Sequence, residues 1–225
     1  LQTATKCGLI SQGTGQVAFD DFSLYPLYVE MPEEIFKDLV IPNGQGPDVA
    51  YDSFTDQDEV NLVNHTPELG SGWTQEGATK WTIQDNAATP TATSAYASMN
   101  VGLAGNMEAE SNITMPSTTP EWPVDWFCGL FVGEFRGRPW SGVQARFLWQ
   151  GGSGEIEMWE WHEGGTYFHE SGLGMNAVNI GGRMELGETY NLKLAMHGHE
   201  AIAYWDDIPV VALTCKYAHE GTEAG

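Results

Sequence analysis

Basic residues are scarce in this chain: nine Lys and Arg stand against 31 Asp and Glu in 225 residues, for a formal net charge of −22 and a pI near 4.3. So few cations cannot neutralise a run of phosphates. That excludes nucleic acid and anionic membrane surfaces as partners and leaves divalent cations and neutral polymers. Long apolar runs are missing too. The longest, around Trp126 to Val132 and Pro209 to Cys215, are strand-sized, well short of the roughly 20 residues of a membrane helix, so membrane insertion is not expected. Cysteine is limited to Cys7, Cys128 and Cys215, which fit neither a zinc pattern nor a CxxC redox pair. Cys128, inside Trp-Phe-Cys-Gly-Leu-Phe, reads as a small core hydrophobe. The chain also lacks a Gly-x-Ser-x-Gly elbow, a phosphate loop and a dinucleotide fingerprint, which argues against nucleotide chemistry.

Helical periodicity is nearly absent, whereas Gly 27 and Pro 11 punctuate many short runs of β-branched and aromatic residues. Hydrophobic content of 41% is enough for an ordinary core in one domain. In Tyr190 to Met196 every second residue is apolar, as a half-buried strand requires. A turn at His197 to Glu200, a strand Ala201 to Trp205, a turn at Asp206 and Asp207 and a strand Pro209 to Cys215 complete an antiparallel meander. Further strands are expected at 80–83, 95–99, 107–115, 126–135, 143–149, 155–161 and 166–170, a spacing that describes a two-sheet antiparallel sandwich. One short helix is expected at Met31 to Leu39, where Pro32 and two glutamates suit a first turn; it lies in a linker of residues 28–48.

The two strands before that linker, Lys6 to Ile10 and Gln16 to Leu24, have the character of a domain's end, while Tyr51 to Asp58 has that of a beginning. The run from Asp52-Ser-Phe54 through Gly72-Trp73, Trp81-Thr-Ile83 and Gly187 to Leu192, to Tyr204-Trp-Asp-Asp-Ile208, resembles the concanavalin A-like (laminin-G-like) jelly-roll superfamily. In that family the last strands read Gly-Leu-Ile and then Val-x-Phe-Asp-Asp-Phe. Both motifs are present here, at residues 8–10 and 17–22, so reading the end of the chain into its start restores the family order. The resemblance implies that residues 1–27 are the last two strands of a jelly roll and 49–225 its main body. A tandem array, donation of residues 1–27 to a neighbouring copy, or a permuted domain closed on itself would each produce such a seam. The first two expose unpaired edges unless a neighbour fills them, and head-to-tail filling gives filaments. In that arrangement Leu9, Ile10, Phe19 and Phe22 fill the neighbour's core. Cys7 and Cys215, close across the join, are expected on adjacent strands and could form a disulfide in an oxidising, extracellular setting.

The resemblance also implies a structural calcium ion near the first and last strands, held by Asp20, Asp21, Asp52, Asp56 and Asp58; carboxylates without Cys or His suit calcium, although acidic turns look the same in sequence. Glu155-Ile-Glu157-Met-Trp-Glu160 resembles the Glu-Ile-Asp-x-x-Glu strand of laminarinase- and carrageenase-type glycoside hydrolases, with Glu157 where that family carries Asp. Alternation puts Glu155 and Glu157 on one face, and a bulge would bring Glu160 onto it, giving a nucleophile (Glu155) and an acid/base (Glu160) about 5 Å apart for retaining hydrolysis. The solvated face of a strand in an acidic chain gives the same pattern. Trp122, Trp140, Trp159 and Trp161 are candidate sugar platforms, most of the other tryptophans core. Asn64-His-Thr66 and Asn112-Ile-Thr114 match the glycosylation sequon.

The sequence therefore points to a non-catalytic structural or adhesive jelly-roll unit, extracellular or on a cell or virion surface, whose partners are copies of itself joined head to tail. The alternative is a glycan-binding module or glycoside hydrolase acting on a neutral or marine polysaccharide.

Overall fold

The computed structural model describes residues 6–12, 17–26, 50–76, 81–91, 95–100, 107–117, 126–134, 141–150, 153–162, 166–174, 185, 187–197 and 199–215. The expected helix at 31–39 and its linker lie outside them. The described residues form a jelly-roll-like sandwich of two antiparallel sheets. The seven-stranded sheet runs in the order β12 (Thr166–Gly174), β11 (Ser153–His162), β10 (Ser141–Gln150), β9 (Trp126–Glu134), β1 (Lys6–Gln12), β7 (Ala95–Asn100), β4 (Trp73–Glu76). The eight-stranded sheet runs β15 (Ile208–Thr214), β14 (Glu200–Trp205), β13 (Thr189–His197), β8 (Met107–Thr114), β2 (Ala18–Pro26), β6 (Ala87–Pro90), β5 (Trp81–Gln84), with β3 (Ala50–Asp52) paired to β2. The only helical element among the described residues is a 3-10 turn at Leu62–Asn64.

Period-two alternation builds the core. Val143, Ala145 and Phe147 of β10 face Leu192, Leu194 and Met196 of β13 across the sandwich interior, joined there by Trp73, Trp81 and Trp205. Phe147 meets Trp205 edge to face at 4.6 Å, and Phe19 meets Trp81 at 5.4 Å. Two tight hairpins use left-handed turn pairs: Asp85-Asn86 (φ 52° and 58°) joins β5 to β6, and Asp206-Asp207 (φ 47° and 64°) joins β14 to β15. Both pairs suit the primed turns whose twist matches the flanking strands.

The first two strands occupy the interior of the two sheets of their own chain. β1 lies between β9 and β7, and β2 between β8 and β6, so Leu9, Phe19 and Phe22 fill this chain's core with no exposure. Strict alternation would send Phe19 and Phe22 to opposite faces. A bulge between Asp20 and Ser23, with Asp21 at φ 51°, inserts one residue and returns both rings to the interior. The described strands on either side of residues 28–48 are thus parts of one sandwich in this chain.

The expected disulfide is corrected by the same topology. Cys7 lies on β1 of one sheet, beside Met99 and Val132, whereas Cys215 follows β15 at the edge of the other. Cys215 is a buried free thiol, as is Cys128.

Candidate functional site

The outer face of the seven-stranded sheet is unusual because it is buried in its middle and not wholly apolar. Residues opposite one another on neighbouring strands share a face. The register therefore sets Ile10 beside Tyr96 and Gly129, Gly129 beside Arg146, Arg146 beside Glu157, and Gln144 between Phe131 and Trp159. Ile10, Phe127 and Phe131 form a second apolar cluster here, with Tyr96 and Leu148 packed against it. Tyr96, Leu148, Glu155 and Trp159 are partly exposed, so solvent reaches the face at these positions.

At its centre the Arg146 Nε–H donates to Glu157 Oε1, and both residues are buried, 9% and 1% exposed. The guanidinium lies 4.1 Å from the centre of the Phe127 ring and 4.9 Å from that of Trp159. Burial pulls Arg146 below its ordinary pKa, and the Glu157 charge and hydrogen bond oppose the fall. Gly129 makes room for this arrangement. A Cβ there would come within 2.0 Å of the Ala145 carbonyl oxygen. Among the described residues, the bond to Glu157 is the hydrogen bond Arg146 makes, and the Gln144 amide nitrogen is buried with none.

The three glutamates of the β11 motif separate. Glu155 and Glu157 share this outer face, whereas Glu160 is fully buried on the opposite one with Ile156 and Met158, close enough for its charge to act on the Cys215 thiol. The one register shift between β11 and β12 falls between Glu155 and Glu157, so no bulge returns Glu160 to the outer face. The expected pairing of Glu155 with Glu160 is corrected accordingly, and Glu157 is committed to Arg146. Trp159 stands beside the ion pair. Trp122 and Trp140 lie outside the described residues, as does the side chain of Trp161.

The five aspartates expected around calcium fall into separate hydrogen-bonded groups, and no group of three or more His, Cys, Asp or Glu among the described residues is arranged to hold a metal. Asp20 Oδ1 accepts from the Asp21 amide at 2.9 Å, Asp21 accepts from the Tyr51 hydroxyl at 3.3 Å, and Asp58 accepts from the Asp85 amide at 2.9 Å. Burial and the neighbouring Asp21 charge raise the Asp20 pKa.

Asp52 and Asp56 instead flank His65. The fully buried Asp52 accepts from the Phe54 amide at 2.7 Å and from the Trp73 indole, and its Oδ1 lies 2.9 Å from His65 Nε2. Asp56 Oδ2 lies 3.1 Å from His65 Nδ1. Burial alone would lower the His65 pKa. The hydrogen bonds to Asp56 and Asp52 and their charges outweigh it, and the net direction is upward. With both ring nitrogens engaged, His65 is a fastener for the loop between β3 and β4 rather than an available base.

Sequence reasoning missed Arg146, Gln144, Phe127 and His65 as parts of these clusters. An Arg at an alternating position of Val143-Gln-Ala-Arg-Phe-Leu148 was the available signal, since a strand that buries Val, Ala and Phe places Arg on the other face. Comparison with protein-family models, with curated proteins and with solved structures finds no match.

Proposed function

We propose that the protein is a non-catalytic adhesive domain, extracellular or surface-borne, that binds a neutral polysaccharide on the outer face of its seven-stranded sheet. The observation that carries the reading is the Arg146–Glu157 pair set between Phe127 and Trp159. Sugar sites combine aromatic rings, which take the C–H face of a pyranose, with a few fixed polar groups that read its hydroxyls. Here the rings, the outer N–H groups of the guanidinium and the carboxylate of Glu155 supply both kinds of contact. A net charge of −22 favours a neutral glycan over a sulfated or uronic one. Hydrolysis by the β11 motif is disfavoured because Glu160 faces away and Glu157 is spent on Arg146.

Affinity electrophoresis in gels cast with β-glucan, agar or mannan tests the proposal. Retardation without release of reducing sugar, lost in Trp159→Ala, is the expected result. Free migration in every gel, or reducing sugar that Glu157→Gln abolishes, would overturn it. Copies that exchanged β1 and β2 would make the same contacts across a junction. A monomer mass by light scattering supports closure within one chain, and a concentration-independent polymer supports head-to-tail exchange.

A further inference from the structure

Gln144 is 1% exposed, and its amide nitrogen is buried without a hydrogen-bond partner. A buried donor without a partner costs free energy that an apolar residue of similar size would not, and an acceptor that arrives with a ligand would remove that cost. The surroundings limit what that acceptor can be. Phe131 lies directly across β9 and Trp159 directly across β11, so the amide sits between two aromatic residues in one cross-strand row. Beside Phe131 lies the apolar cluster of Ile10 and Phe127. Among the described residues the neighbouring cation on this face, Arg146, is already paired with Glu157. A carboxylate or sulfate would therefore bring a charge that no uncommitted cation among the described residues of this face balances, and a bare hydroxyl would leave the apolar cluster unmatched.

An acetyl group meets both conditions, since it offers a carbonyl oxygen to one donor and a methyl to an apolar neighbour. We infer that the glycan carries acetyl groups, and that Gln144 Nε2 donates to the acetyl carbonyl while the methyl rests on the cluster of Ile10, Phe127 and Phe131 and the sugar ring on Trp159. This rests on the glycan-binding reading of the same face. Acetamido sugars and O-acetylated sugars share the chemistry.

Isothermal titration with four probes tests it: the β-1,4-linked N-acetylglucosamine hexamer, cellohexaose as the same backbone without acetamido groups, an O-acetylated xylan oligomer, and that oligomer after saponification. At least one acetylated probe should bind about tenfold more tightly than its unacetylated counterpart, the ratio one buried hydrogen bond supplies. Which of the two pairs shows the preference identifies the source, amide or ester. Gln144→Leu should abolish the preference, keep the weaker binding of the unacetylated probe, and melt no lower than wild type, because it removes an unpaired donor. Equal affinities within both pairs, a preference that survives in Gln144→Leu, or a fall in melting temperature of more than about 5 °C would overturn the inference while leaving glycan binding standing. Binding of none of the four probes would count against both.

Discussion

Replacing His65 by Ala should destabilise the domain by about 3 kcal/mol. The imidazole is buried, with its side chain 4% exposed, and it faces a carboxylate of 0% exposure at 2.9 Å. Removing one partner of such a pair leaves a buried charge uncompensated, which costs roughly 3–5 kcal/mol. The lower end applies because Asp52 keeps the Phe54 amide and the Trp73 indole. The bond to Asp56 lies at the surface and adds little. For a chain of this size, 3 kcal/mol corresponds to a fall in melting temperature of about 6–12 °C. The pH dependence has a definite sign. The folded pKa of His65 is raised, so its contribution is complete below the ordinary value of 6.5 and is lost as pH rises through the folded value. Asp56 is shifted the other way by its hydrogen bond to His65, so its contribution is present above its ordinary value of 3.8 and lost as pH falls below it. The melting temperature of wild type minus that of His65→Ala should therefore be greatest in mild acid and shrink towards pH 9, measured by circular dichroism. The subtraction removes the general repulsion among the other carboxylates. A loss below about 1 kcal/mol, or additivity with Asp52→Asn in a double-mutant cycle, would refute the fastener.

Three further outcomes follow from the packing. Arg146→Met should cost about 3 kcal/mol by removing the guanidinium that faces the buried Glu157 carboxylate, and adding Glu157→Leu should restore part of it; urea midpoints of the single and double variants check both. Gly129→Ala should cost about 3 kcal/mol, because its Cβ would collide with the Ala145 carbonyl oxygen at 2.0 Å, and a parallel loss of glycan retention is expected as β9 and β10 move apart. Cys215 should resist alkylation in the folded protein, since burial first and then the charges of Glu160 and Glu200 push its thiol pKa far up, and should alkylate fully in denaturant without reductant; a disulfide-linked peptide in the mass spectrum would contradict the fold.

Much of the architecture was legible in the chain because strand alternation and turn chemistry are local. Tyr190 to Met196 forms the expected strand, but Lys193 and Ala195 are buried along with Leu192, Leu194 and Met196 instead of facing solvent, and Asp206-Asp207 makes the turn its composition suggested. The β11 glutamates show where locality stops. Two of them share a face by parity alone, but whether Glu160 joined them depended on a bulge, and bulges are placed by the neighbouring strand. On β2 the reverse happened. A bulge beside Asp21 brought Phe19 and Phe22 together where parity would have parted them.

Acidity, β-richness and short antiparallel strands follow from the residues alone, because charge, period and turn residues act within a few residues of one another. Which strands are neighbours depended on how the sheets assemble in three dimensions. That choice separated Cys7 from Cys215, dispersed the aspartates, and set Arg146 against Glu157 between aromatic rings, since side chains far apart in sequence meet only where sheet order and register bring them together.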